Sequence, residues 1–304
     1  MPINHVTYKP SKIVIGYGSA ILAAGLFGSV STLAKPVLST VNPIVLSSLV
    51  YLIAGFTFTP LAQQAGFTKQ TKRYYFLILT SAILGATIAP VMFFLGLEHS
   101  SAADTSLLAN GETVFSILFA LVIFKERMKP IGYLAVALIL FGVFIVTTNL
   151  ELNDSILRLD SGNLLVIGST ILWGLDNNIG KIITRQINVS RLIQLKALIG
   201  GFVLLLSIIV FGVPFSIQPT QIISIIVLGV FGFAISLYLY LHSIKRIGVV
   251  KASSILSLSA VFGCVLAGVF LNETISVFQI VAIAIMLLGI QIMYTREKKI
   301  EVQY

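Results

Sequence analysis

Charge is what this sequence has least of. Only 10% of its 304 residues are Asp, Glu, Lys or Arg, against 57% apolar. A soluble domain carries roughly a quarter charged residues, so too little polar surface is left to coat a water-soluble globule of this length. Acids are scarcer than bases, 11 against 20, for a formal charge of +9. In a soluble protein that balance would point to nucleic acid. Here the bases fall in short stretches between apolar runs, where a membrane accounts for them, and no nucleic-acid partner is expected. The single cysteine, Cys264, excludes an internal disulfide. There is no Cys/His cluster for a structural metal and no His-Glu-x-x-His pattern for a metalloprotease. The absence of a P-loop argues against ATP-driven transport by this chain, and the glycine-rich filter of potassium channels is missing too. No cofactor or metal is called for.

What the chain does have is long apolar runs. A membrane-spanning helix needs about 20 mostly apolar residues. Ten such stretches occur, at 13–34, 42–61, 74–97, 105–124, 130–148, 162–184, 190–212, 221–241, 251–271 and 276–295. Helices are the spanning element they predict, because backbone groups in lipid must be satisfied within the segment. The first run follows Lys9 and Lys12, is longer than a signal-peptide core, and is read as a retained helix.

Orientation follows from the bases. With ten spans and a cytoplasmic N-terminus, seventeen Lys and Arg fall inside, only Lys35 and Arg158 fall outside, and Lys196 lies within a span. One helix more or fewer would invert every later loop and destroy the asymmetry.

The chain also resembles itself at an offset of 146–147 residues. Phe27-Gly28 falls on Trp173-Gly174, Lys35 on Lys181, Gly55-Phe56 on Gly201-Phe202, Val114-Phe115 on Val261-Phe262, Glu126 on Glu273 and Gly142 on Gly289. Each copy holds five spans, and an odd number forces the copies to insert in opposite directions. The expected fold class is therefore an all-α integral membrane protein, its ten transmembrane helices arranged as two inverted five-helix repeats over 13–148 and 162–295. It would be multi-pass in the cell membrane with both termini cytoplasmic. Secondary transporters are commonly built this way, with the substrate path near midplane between the copies.

Two segments resemble a known family. "LLANGETVFSILFALVIFKERMKPIGYLAVALILFGVFIVT" from Leu107 and "SLSAVFGCVLAGVFLNETISVFQIVAIAIMLLGIQIMYT" from Ser257 are similar to the end of an EamA domain of the drug/metabolite transporter superfamily. There a helix ends in glutamate, here Glu126 and Glu273, and a short turn leads to a Gly-containing terminal helix. "LFGSVSTLAK" at Leu26–Lys35 and "LWGLDNNIGK" at Leu172–Lys181 resemble the opening helix of each domain. The resemblance covers nearly the whole chain and implies a carrier of small molecules. The family often has Glu-Pro in its fourth helix; this chain has Glu112-Thr113 and Ser259-Ala260.

A charge at the bilayer centre costs several kcal/mol, roughly 2.5–3.5 even on insertion scales, and marks a pathway by default. Glu112, within Asn110-Gly111-Glu112, Asp176, within Asp176-Asn177-Asn178, and Lys196 are such charges. The expected substrate site is Asn110, Glu112, Trp173, Asp176, Asn177, Asn178 and Lys196. It would bind a polar or zwitterionic metabolite, an amino acid or a related compound, with Trp173 stacking on it and a desolvated carboxylate available for proton coupling. Structural readings stand beside these. Asp176 and Lys196 can form an ion pair, Asn177 and Asn178 can tie helices together, and Lys196 is placed shallowly enough to snorkel to the surface. Lys35 and Lys181 read as anchors and Glu126 and Glu273 as turn braces. The functional expectation is a secondary transporter working by alternating access, as an exporter, and not an enzyme. The alternatives are an intramembrane enzyme using Glu112 or Asp176 as acid/base, or a passive channel. The partners expected are a small-molecule substrate and membrane lipid.

Overall fold

The computed structural model describes residues 10–64, 71–100, 102–125, 127, 129–148, 161–271 and 277–301. Among these the only regular secondary structure is helical. The helices are α1 (Pro10–Leu38), α2 (Pro43–Gln64), α3 (Lys72–His99), α4 (Ala102–Leu108), α5 (Gly111–Val122), α6 (Pro130–Thr148), α7 (Ser161–Ile183), α8 (Val189–Phe211), α9 (Pro219–Ile247), α10 (Val249–Leu256), α11 (Leu258–Leu271) and α12 (Val277–Glu301). Each of the ten apolar stretches is helical over most of its described residues. Among the described residues six helical stretches are long and apolar enough to cross a membrane, Val249–Phe270 being counted as one across its break at Ser257, and Gly111–Val122, Pro130–Gly142 and Ile283–Ile292 are shorter apolar helices.

Local chemistry sets the boundaries. Pro43, Pro130 and Pro219 open α2, α6 and α9, where a missing N–H costs nothing. Asn188 caps α8 by accepting from the Ser190 N–H at 3.0 Å. The same helix ends on Gly212 at φ +64°, and Gly248 at φ +85° turns the chain between α9 and α10; these left-handed conformations favour glycine. Lys35 on α1 donates to the carbonyls of Leu97, Glu98 and Ser100, at 2.8, 3.1 and 2.6 Å. It thus closes the C-terminus of α3, a more specific job than anchoring. Glu126 and Glu273 lie outside the described residues.

Two expectations of continuous helices are corrected. The stretch 105–124 is broken at Ala109–Asn110 into α4 and α5, and 251–271 is broken at Ser257 into α10 and α11. Asn110 and Ser257 are 147 positions apart. At the second break Ser257 Oγ donates to the Ser254 carbonyl, the kind of local bond that competes with the helix ladder. A second pair of irregularities lies in α3 and α9, which carry π-helical turns at Leu84–Ile88 and Leu228–Ile235. Gly85 and Gly232, one in each turn, are again 147 apart.

Most of the packing is between the halves of the sequence. α2 packs on α8, α6 on α12, α3 on α7 and α8, α1 on α9 and α11, and α5 on α7. Glycines permit the closest approaches: a Cβ on Gly55 would meet Leu198, and one on Gly201 would meet Leu52. Such small-residue contacts are how helices approach in lipid. Leu206, Ile209, Val210 and Phe211 on α8, Ile223 on α9, and Val269 and Phe270 on α11 face outward from the bundle. In water these would be a liability; in a bilayer they meet solvent of their own kind.

Candidate functional site

The irregular turns place polar groups in the middle of the bundle. Gly85 lies near the centre of α3 and Trp173 near the centre of α7. A π turn disturbs the regular ladder, and such turns are frequent at functional sites. The Gly85 carbonyl accepts from the Tyr51 hydroxyl at 2.8 Å and from Trp173 Nε1 at 3.0 Å. These bonds lock two aromatic rings over the turn. Glycine is required there, because a Cβ at Gly85 would collide with the Asp176 carboxylate.

Asp176 and Lys196 form a buried ion pair between α7 and α8, and Ser81 of α3 also donates to Asp176. Both charged side chains are 3% exposed. Lys196 therefore does not snorkel: a carboxylate within reach in the interior holds its ammonium. Glu112 is separate from this pair. It sits in the first turn of α5, where the helix dipole favours an anion, and its Oε1 accepts from Asn177 Nδ2 at 2.8 Å. The same Asn177 amide donates to Ser116 Oγ at 3.0 Å. No ion pair to Glu112 is present among the described residues.

One cavity joins these groups. Glu112, Trp173, Asp176, Asn177 and Lys196 line it, together with Phe27, Tyr51, Gly85, Phe233 and Tyr240. Its volume of ≈ 40 Å³ leaves room for a few waters. The rings interlock: Phe27 stands edge-on to Trp173 with centroids 6.0 Å apart, and Tyr51 lies 5.4 Å from Phe233. The cavity thus has an aromatic wall, one neutralised charge pair and one carboxylate held only by a neutral amide.

Two expected residues lie elsewhere. Asn178 donates to the carbonyls of Ser116 and Gly174, at 3.0 and 2.9 Å, tying α7 to α5. Asn110 is buried at the break before α5, with neither amide atom hydrogen-bonded. Sequence reasoning missed Tyr51, Tyr240, Ser81 and the Gly85 carbonyl. The positions of Tyr51 and Ser81 within apolar spans offered no charge to flag them, and a free carbonyl leaves no mark in a sequence. Gly85 and Gly232 share the repeat offset, which was a usable signal.

The EamA-like transporter family model matches this chain twice, at residues 14–148 and 160–295. The chain belongs to the EamA-like transporter family. An uncharacterized transporter of Methanothermobacter thermautotrophicus is 30% identical over 298 residues, covering 93% of this chain and 87% of that protein. Another, of Clostridium kluyveri, is 25% identical and covers 92% of this chain and 93% of its own length. A solved crystal structure matches with a TM-score of 0.74 over 97% of this chain and all of the other, at 18% identity, which is a likeness of fold. This EamA-family chain is accordingly a multi-pass membrane protein of a transporter family.

Proposed function

We propose that this protein is a secondary transporter that exports a small zwitterionic metabolite, such as an amino acid or a related compound, by alternating access. The observation that carries this reading is the pairing inside the cavity. Asp176 and Lys196 neutralise one another, while Glu112 forms no ion pair among the described residues, the cavity's Lys196 being taken by Asp176. A buried carboxylate without an ion-pair partner calls for a proton or for a cationic group of the solute. Competition between the two for Glu112 couples solute exit to proton entry. Lys196 has three N–H donors and one is engaged by Asp176; the others suit the solute's carboxylate. The aromatic wall covers its apolar part.

The architecture belonging to this reading is ten spans in two inverted five-helix repeats, with both termini in the cytoplasm. The contacts support it by coming in mates at the repeat offset. α3 on α7 mirrors α9 on α1, and α5 on α7 mirrors α11 on α1. Gly55 against Leu198 mirrors Gly201 against Leu52, and the Phe56–Phe202 ring pair, at 6.4 Å, joins two positions 146 apart. Broken helices facing a midplane site are a recurrent transporter device.

Trp173 is the only tryptophan and borders the cavity, so its emission reports occupancy. Candidate metabolites are screened by Trp173 fluorescence in detergent, and the responders are tested for counterflow in proteoliposomes. Saturable counterflow of an unchanged solute is expected. Chemical conversion of the solute would establish an enzyme, and flux without saturation or counterflow a channel.

A further inference from the structure

A second, smaller pocket shares the Phe27 side chain with the central cavity. Phe27, Gly28, Ser31, Phe93, Ser106 and Ser259 line it, and Phe27 is common to both. Its volume of ≈ 10 Å³ is about that of one water position. The contacts of Lys35 with Leu97, Glu98 and Ser100 bring the last turns of α1 and α3 together at one end of the bundle. Phe93 and Ser106 lie within two turns of that end, which the charge asymmetry places outside.

The lining of this pocket copies the central one at the repeat offset. Phe27 corresponds to Trp173, Ser31 to Asn177 and Ser259 to Glu112, so a hydroxyl replaces the amide and another the acid. Phe93 corresponds to Tyr240, and Ser106 to Ser253. In the central half the Tyr240 hydroxyl and Ser253 Oγ share a hydrogen bond. Phe93 lacks that hydroxyl, and Ser106 Oγ is left buried, 5% exposed, with no hydrogen-bond partner. A buried orphan hydroxyl beside a void costs about 1–3 kcal/mol, which a passing polar group or a water would relieve.

We propose that this outer pocket is the exit station of the transport path, taking a neutral hydrogen-bonding group, and that Phe27 is the partition between it and the Glu112 site. The inference rests on the transport reading. The station binds a cationic group weakly because it holds hydroxyls where its counterpart holds a carboxylate. A solute that leaves Glu112 therefore meets a low-affinity site on its way out, as export requires.

The test uses cysteine accessibility and needs no identified solute. On a Cys264→Ser background, Ser259→Cys marks the outer pocket and Ser236→Cys the central cavity, which Ser236 lines. The probe is the impermeant trimethylammonium-ethyl methanethiosulfonate, added outside right-side-out vesicles. Ser259→Cys is expected to react. A displaced ring is a minor state, so Ser236→Cys should react about tenfold or more slowly while Phe27 is present. It should approach the Ser259→Cys rate in Phe27→Ala, or part-way in Phe27→Val if the alanine variant fails to insert. Phe27→Leu should stay slow. No external reaction of Ser259→Cys, or equal rates at both positions with Phe27 in place, would overturn the station and its partition. Counterflow persisting alongside that outcome leaves the transport reading intact, whereas labelling as expected without counterflow of any metabolite removes transport alone.

Discussion

Asn177 on α7 holds the Glu112 carboxylate on α5 through a 2.8 Å hydrogen bond, while its neighbour Asp176 takes the only lysine in the cavity. Adjacent residues on one helix thus serve two acids differently. One acid is neutralised by an ion pair. The other keeps its charge requirement unmet and is free to exchange partners. On the proposed transport reading, that division is the basis for coupling.

Glu112→Gln preserves the acceptor oxygen for Asn177 and removes the titrating group. The variant should keep counterflow, which needs only exchange of bound solute, and lose accumulation driven by a pH gradient. Both activities are measured on the same proteoliposomes. Gradient-driven accumulation at the wild-type level would eliminate Glu112 as the coupling site, and loss of both activities would make it a direct ligand.

The Asp176–Lys196 pair should show strong coupling in stability. Asp176→Asn leaves the Lys196 ammonium buried without its counter-ion, and Lys196→Met does the reverse. Each single change should cost about 3–5 kcal/mol, and the double variant much less than their sum. Thermal unfolding in detergent reads this directly. Transport should stay impaired in the double variant even where stability returns, because in the proposed mechanism Lys196 also binds the solute. Additive stability losses would deny the pair, and full transport by the double variant would confine it to a structural role.

Topology provides a third expectation. On the Cys264→Ser background, cysteines placed in 64–73 should be labelled only from the cytoplasmic side and those in 151–160 only from outside. The two loops are separated by three expected spans, an odd number, so they must lie on opposite faces. Labelling of both from one side would end the inverted-repeat arrangement.

The membrane character, the ten helical stretches and the repeat offset are properties of composition and spacing, and the sequence alone determined them. Glu112, Asp176 and Lys196 were also legible as candidates: charge in an apolar run is costly wherever the run folds, so it stands out in one dimension. Tertiary structure decided which charge meets which. Lys196 reaches Asp176 rather than Glu112 or the surface, and Asn178 turns to the backbone of α5 while Asn177 turns to Glu112. It also turned the Gly85 carbonyl toward Tyr51 and set Phe27 in the lining of two pockets. Such pairings depend on helix rotation and on the approach of segments far apart in the chain. A difference of a few ångströms decides whether a buried charge is neutralised or left to a ligand, and no local pattern encodes that distance.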